Sequence, residues 1–267
     1  MKRFFNILLS IYIMFAFSQA VYAKNVEFVQ ITDLHFTESQ ESVNNFKELI
    51  KIVNSMDSLD FVVFTGDNID KANVETLKSF LKLCKTIDIP YYIEIGNHDC
   101  FKSARLDKKK YAELVREHSA QNVKDFNFIV KKDKFVFVFI DGMKEVIPSM
   151  NGYYRDKELA WLDSQLTKYK DKNVIIFQHF PLIEMAPNSN HNLYLPEKYL
   201  NVLAKHNNVK AIFAGHYHLT KEVEIDNVLH FVTPTAHLNS RYFRYVVLVD
   251  NGKKGCEIYS SVQRINR

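Results

Sequence analysis

Two histidines one residue apart, His216 and His218, follow an apolar run and a glycine in the stretch AIFAGHYHLT (residues 211–220). On an extended backbone, side chains two apart point to one side, so both imidazoles can converge on one point. Four more apolar runs stop at polar, ligand-type residues: DLH (Asp33, His35), GDNID (Asp67, Asp70), GNHD (Asn97, His98) and QHFP (His179). Each has an ordinary explanation taken singly. Asp33 can cap a turn, Asp67 and Asn97 are common turn residues, and His179 can be a hydrogen-bonded core histidine. Five in one chain are not accounted for in that way. Clustered carboxylates repel, and buried imidazoles need partners, unless a cation lies between them. Oxygen and nitrogen donors without thiolates suit zinc, manganese, iron or magnesium. Asp33, His35, Asp67, Asn97, His179, His216 and His218 are too many ligands for one tetrahedral ion and fit two ions sharing a bridge.

For these residues to meet, the runs before them must be strands whose C-terminal ends share an edge, where α/β proteins place their sites. VEFVQIT (26–32), FVVFT (61–65) and YYIEI (91–95) read as strands, with helical spacing of apolar residues over 42–56 and 74–87 between them. Short strands alternating with helices predict βαβ units and a largely parallel sheet. FNFIV (126–130) and FVFVFID (135–141) around KKDK predict a hairpin. A helix over 156–169, a strand over 173–178, a helix near 196–206 and a strand over 209–214 come next, and the chain from about 220 to 260 is strand-rich. No linker rich in proline, glycine or serine divides it, so residues 24–267 are expected to form a single α/β domain with two sheets.

Glycine usage points to the same places. There are seven glycines in 267 residues, against an ordinary share of about 7%. Gly66, Gly96 and Gly215 each precede a polar residue at the end of an apolar run, where unusual backbone geometry or close approach is expected. At 47% apolar and 25% charged the composition is globular, with a formal charge of +4. The lysine-rich spots DKKKY (107–111) and VKKDKF (130–135) read as solvated surface, so nucleic acid is not expected as a partner. Residues 1–23 have a basic start, an apolar stretch from Phe4 to about Phe17, and small residues at Ala20 and Ala23. That is a signal-peptide pattern, shorter in its apolar part than the about 20 residues of a membrane span. The expected protein is exported, periplasmic or secreted, with no stable membrane association once the segment is removed; an uncleaved anchor is the alternative. Cys84, Cys100 and Cys256 match no zinc spacing, their odd number leaves at least one thiol unpaired within the chain, and Cys84 is expected in the core.

In this order and over residues 26–218, the motifs D-x-H, G-D-x-x-D, G-N-H-D, His and G-H-x-H resemble those of the calcineurin-like metallophosphoesterases. The resemblance implies an α/β fold, a two-sheet αββα sandwich, holding two divalent ions of manganese, iron or zinc. By motif position, Asp33, His35 and His218 would bind one ion, Asn97, His179 and His216 the other, and Asp67 would bridge them. His98 takes the proton donor's place, and Asp70 matches the carboxylate that orients it. The pattern departs at His179-Phe180-Pro181, where relatives often carry His-His-Pro. Two cations about 3.5 to 4 Å apart acidify a shared water and offset charge on phosphoryl oxygens, and an imidazolium held by a carboxylate can protonate a leaving alkoxide.

The implied reaction is hydrolysis of a small-molecule phosphate ester. A phosphodiesterase of the branch that includes bacterial cyclic-nucleotide phosphodiesterases is the first reading; a phosphomonoesterase or a metal-stabilised binding scaffold are the alternatives. Purple acid phosphatases match less well, since their metal-binding tyrosine belongs where Asp70 stands. Substrate contacts are expected from residues 183–196, with His191 facing solvent, and from residues 235–243, where Arg241 could meet a phosphate. His118, His206, His230 and His237 lie outside the motifs and take no role.

Overall fold

The first strand sets the architecture, because it is buried on both faces. Val26 and Phe28 join one apolar cluster and Val29 and Ile31 the other, as the period of two requires of a strand covered on both sides. The computed structural model describes residues 25–119, 121, 124–146, 150–184, 189–238, 240–252 and 255–265. The signal segment read over residues 1–23 lies outside them.

Among the described residues the elements run β1 (Asn25–Ile31), α1 (Gln40–Asn54), β2 (Phe61–Thr65), α2 (Val74–Cys84), β3 (Tyr91–Glu94), α3 (Lys108–His118), β4 (Phe128–Lys132) and β5 (Phe135–Phe139). They continue with α4 (Asp156–Lys168), β6 (Asn173–Phe177), α5 (Pro196–Leu203), β7 (Val209–Ala214), β8 (Lys221–Ile225), β9 (Val228–Val232), β10 (Tyr242–Asp250) and β11 (Cys256–Arg264). One sheet has the order β11-β10-β1-β2-β3, the other β4-β5-β6-β7-β9-β8. β1, β2 and β3 are parallel, as are β5, β6, β7 and β9; the antiparallel pairings are those of β10, β11, β4 and β8. The two mixed sheets and their helices form the αββα sandwich.

Between the sheets lies a layer of phenylalanine. Phe28 of β1 stacks on Phe61 at 5.1 Å between ring centroids and meets Phe177 and Phe213 of the opposite sheet edge-on at 5.2 and 5.3 Å. Such pairs add about 0.5–1.5 kcal/mol beyond the area they bury. The outer faces are closed by helices, and side chains fix the starts of α1, α2 and α3. Ser39 Oγ accepts from Ser42 N before α1, Asn73 Oδ1 from Glu75 N and Thr76 N before α2, and Asp107 Oδ1 from Lys110 N before α3.

The reading of DKKKY as solvated surface holds for exposed Lys109 and half-exposed Lys110 but is corrected for Lys108 and Tyr111. These residues open α3, whose Tyr111, Ala112, Leu114 and Val115 are buried, and Lys108 makes an ion pair with buried Asp141. The apolar spacing was masked by lysines whose stems can lie along apolar surface. The expected hairpin is present, with β4 and β5 antiparallel and Asp133 in the left-handed region at φ 55°. Cys84 and Cys100 are buried and Cys256 is half-buried, all as free thiols.

Removing the ring that joins the sheets tests this account. Phe28→Ala should cost about 3–5 kcal/mol of stability with an unchanged m-value in guanidinium unfolding. A loss below 1 kcal/mol would show that the inter-sheet layer does not depend on this ring.

Candidate metal centre

Five parallel strands, β1, β2, β3, β6 and β7, end along one edge and deliver the motif residues there. The turns that follow them are unusually bent. Asp33 (φ 51°), His35 (45°), Asp67 (49°), His216 (74°) and His218 (56°) are all left-handed, at roughly 1–2 kcal/mol each for a residue with a Cβ. They are held by crossed main-chain bonds: Asp33 N to Gly66 O at 3.0 Å, His35 N to Asp67 O at 2.9 Å, and Gly215 N to His179 O at 3.0 Å. The three glycines are needed for close approach. A Cβ on Gly66 (φ +93°) would stand 2.6 Å from His179 Nδ1, one on Gly96 would overlap Asp67 Oδ1, and one on Gly215 would overlap Thr32 Oγ1 and Asp33 Oδ2.

The side chains converge in three overlapping groups, of which His35, Asp67 and His98 form the one that joins the other two. Asp33, His35 and His218 offer ligand atoms that all lie within 4.8 Å of one another, and so do Asp67, His179 and His216. In the first group His218 Nε2 is 3.2 Å from Asp33 Oδ1 and 3.1 Å from His35 Nε2. In the second, His179 Nε2 is 3.4 Å from Asp67 Oδ2 and 3.3 Å from Asn97 Oδ1. Asp67 Oδ2 is also 3.8 Å from His35 Nε2, which ties the groups together. The structure thus brings all of Asp33, His35, Asp67, Asn97, His179, His216 and His218 to one place.

Divalent ions fit this set. His216 Nε2 is buried with no hydrogen-bond partner, and buried Asp33 Oδ1 receives no well-directed hydrogen bond. Orphaned atoms of this kind cost about 1–3 kcal/mol each, which a cation would remove. Protonation states at His216 and Asp67 favour ligation, whereas His179 must give up a proton to a metal. Burial and neighbouring His179 push His216 down to about 3, so it is neutral. Burial opposes a charge on His179, but Asp67 and Asp33 outweigh it and raise its pKa to about 9. Asp67 is held below the usual carboxylate range, since His179 and His35 overcome its burial. The His179 Nδ1 faces the Thr65 carbonyl at 2.9 Å; a carbonyl only accepts, so Nδ1 carries hydrogen and Nε2 is the atom that could ligate.

His98 sits at the rim with 42% of its side chain exposed, its Nε2 4.0 Å from Asp67 Oδ2. Its main-chain N donates to Asp67 Oδ1 at 2.9 Å, and its Nδ1 lies 2.7 Å from the Asp70 main-chain oxygen. The expected orienting contact is therefore made by the Asp70 carbonyl and not by its carboxylate, which lies 3.8 Å from His35 Nδ1. The Phe36–Ile69 bridge and the bond from Asp70 N to Phe36 O turn that side chain toward the His35 loop.

Three residues outside the expected set belong to the surroundings of the site. Asp99, the last residue of GNHD, is buried and accepts from Asn68 N, Ile69 N, Gly96 N and Asn68 Nδ2 at 2.8–3.1 Å. It clamps the loops carrying Asp67, Asn97 and His98, although burial and the charge of Asp67 raise its pKa to about 7. Its motif position was the signal for it. The His237 ring lies 6.0 Å from that of His35, on a segment with no strand-end signature. His191, expected to face solvent, packs its ring 5.3 Å from His216 and 6.0 Å from Tyr217. Arg241 is engaged by Asn45 Oδ1 at 2.7 Å and by Glu48 of α1, so its expected availability to a phosphate is also corrected.

The sequence profile of the calcineurin-like phosphoesterases matches residues 26–219, and the chain belongs to that family. It is a metallophosphoesterase, a hydrolase of phosphoric esters. Among its relatives, a probable glycerophosphodiester phosphodiesterase of Arcobacter nitrofigilis is 27% identical over 203 residues, 71% of either chain. A 3′,5′-cyclic-nucleotide phosphodiesterase of Nostoc is 23% identical over 220 residues, 79% of this chain and 78% of that one. The crystal structure of a dimetal phosphatase from Danio rerio shares the fold, with a TM-score of 0.66 and 17% identity over 88% of this chain and 98% of that one.

Two outcomes follow from the geometry. Gly215→Ala should fold but lose most of its metal affinity, because its Cβ overlaps Asp33; wild-type affinity in a metal titration would contradict the close approach. Charged His179 stabilises the metal-free protein, fully below its ordinary 6.5 and no longer above about 9. Stability without metal should therefore fall as pH rises through that window, and metal uptake at pH 8 should release about one proton from His179. Flat stability from pH 6.5 to 9 would contradict this assignment.

Proposed function

We propose that this metallophosphoesterase is an exported phosphodiesterase that works with two divalent ions. The observation that carries the dinuclear reading is the position of Asp67. Its Oδ2 lies 3.8 Å from His35 Nε2 on one side and 3.4 Å from His179 Nε2 on the other, between two complete ligand groups. Asp33, His35, His218 and Asp67 would hold one ion; Asp67, Asn97, His179 and His216 would hold the other. Manganese, iron and zinc all suit this mixture of carboxylate, amide and imidazole donors. Bound there, the ions supply Lewis-acid stabilisation of the phosphoryl oxygens and an acidified water as nucleophile.

The chain's own residues do the rest. Asn97 contributes a neutral oxygen, which limits the negative charge that an incoming phosphate anion meets. The Asp70 carbonyl keeps hydrogen on His98 Nδ1 at 2.7 Å and leaves Nε2 directed at the site. Protonated there, His98 donates to the departing alkoxide, a step typically worth 10²–10⁴ in rate. Asp99 keeps His98 and Asp67 in register by clamping both loops. The diester preference is supported by the names of relatives from Arcobacter nitrofigilis and Nostoc. Export is supported by the basic, apolar and small-residue order of residues 1–23.

The test is hydrolysis of bis-p-nitrophenyl phosphate against p-nitrophenyl phosphate by the Mn²⁺-loaded protein, with Asp67→Asn as blank. Diester turnover above the blank is expected. Turnover of the monoester alone would make the protein a phosphatase, and neither, with two metals bound, would favour a binding scaffold. His98→Ala should keep its metal and lose about 10²-fold or more on a diester with an alkyl leaving group, but much less when p-nitrophenolate leaves unprotonated. Equal losses on both substrates would remove His98 as the proton donor.

A further inference from the structure

The inner faces of the two sheets are apolar along most of their length but polar in the last row before the metal centre. Gln30 of β1, Thr65 of β2, Thr233 after β9 and Arg244 of β10 are all fully buried there. A guanidinium between two sheets is costly unless its donors are matched. Four of the five N–H groups of Arg244 are: Nη1 bonds Glu222 and, at 2.6 Å, Ser260 Oγ, while Nη2 reaches Val232 O at 3.2 Å. The group lies 5.0 Å from the centre of the Phe231 ring. The fourth of these, on Nε, points inward and bonds Thr233 Oγ1 at 2.8 Å.

From Thr233 a chain of hydrogen bonds runs to the ligands, and its direction is fixed. Arginine only donates, so Thr233 Oγ1 accepts from it and passes its own hydrogen to Gln30 Oε1 at 2.6 Å. The Ala214 carbonyl, which only accepts, imposes the same orientation on the Gln30 amide from the other side. Its NH₂ then donates to Thr65 Oγ1 at 2.9 Å and to Ala214 O at 3.2 Å. Thr65 is the residue whose carbonyl takes the His179 Nδ1 hydrogen at 2.9 Å. Ala214 directly precedes Gly215 and His216. Thr32, two residues on from Gln30, places its Oγ1 2.7 Å from Asp33 Oδ2 and 3.4 Å from Thr65 O. One amide therefore ties together the ends of β1, β2 and β7, which carry Asp33, Asp67 and His216.

We infer that Arg244 is a positioning residue for the metal centre, acting through Thr233, Gln30 and Thr65 on the geometry of His179, Asp33 and His216. The inference rests on the reading of those three as metal ligands. Arg244 touches neither substrate nor ligand. It supplies the donor that holds Thr233 Oγ1 at the far end of the chain from Ala214; without it Thr233 loses that anchor, and the tie between the strand ends loosens. Partners at this remove from a metal typically change its affinity by 10–100-fold.

The experiment is a zinc titration of the metal-free full chain by calorimetry, for wild type, Arg244→Met, Gln30→Met, Thr233→Val and the Arg244→Met/Gln30→Met double variant. It is paired with hydrogen-exchange measurement of the His179 Nδ1 proton by NMR. Each single variant should bind zinc at least tenfold more weakly and exchange that proton at least tenfold faster. The double variant should be no worse than the poorer single one, because both cut the same chain. Losses that multiply in the double variant, or a lowered Tm with unchanged zinc affinity, would overturn the inference and leave Arg244 a packing residue. If Arg244→Met does not fold, Thr233→Val decides: it is isosteric, keeps the bonds of Arg244 to Glu222, Ser260 and Val232, and overturns the inference if its zinc affinity is that of wild type. Wild type that binds no zinc would instead sink the metal-centre reading, and the exchange rate of the His179 proton would then decide on the chain by itself.

Discussion

Asp67 is a carboxylate with almost no access to water, placed beside the carboxylate of Asp33 and surrounded by imidazoles. In a low-dielectric interior such a group needs compensating positive charge. Without metal the compensation is partial: His179 takes up a proton, His216 cannot, and Nε2 atoms of His35 and His218 face each other at 3.1 Å. Divalent ions would satisfy all of these groups together, and on that reading the shape of this edge follows from holding the donors ready for them. Strands from both sheets must end at one level. Glycine must stand wherever another chain passes too close for a Cβ, and residues with side chains must accept left-handed backbone. Five such residues at roughly 1–2 kcal/mol each are a large demand on a fold whose whole margin is about 5–15 kcal/mol.

The sandwich behind the site is built to carry that demand. Phenylalanines from both sheets interlock across the middle layer, so the two sets of strand ends cannot slide independently. Just under the ligands that layer changes from rings to hydrogen bonds. Apolar packing is tolerant of small shifts, whereas a hydrogen bond fails over a few tenths of an ångström. Rings hold the sheets together, and directed bonds through Gln30, Thr65 and Thr233 set how their ends meet.

Much of this was legible in the sequence, and the exceptions have physical causes. β2 and β7 match their expected bounds because a fully buried parallel strand is a continuous apolar run bounded by glycine and polar residues. That the seven proposed ligands would meet at one edge was legible because they follow such runs within a few residues. α3 was hidden because Lys108 and its neighbours outweigh the buried spacing of Tyr111, Leu114 and Val115. His191 and His237 reach the site from connecting segments, where tertiary packing and not strand periodicity places a side chain. Whether Asp70 meets His98 by its carboxylate or its carbonyl depends on the turn around Ile69, which composition does not encode. Arg244 gave no sign of burial, since one arginine in the strand YFRYVVLVD reads as an outward residue until Glu222 and Ser260 are seen around it.

The central claim is that two ions share Asp67. Crystals grown with Mn²⁺ and measured at the manganese absorption edge test it most directly. The account predicts two anomalous peaks, one among Asp33, His35 and His218 and one among Asn97, His179 and His216, with the Asp67 carboxylate between them. A single peak, or two peaks neither of which touches Asp67, would contradict it.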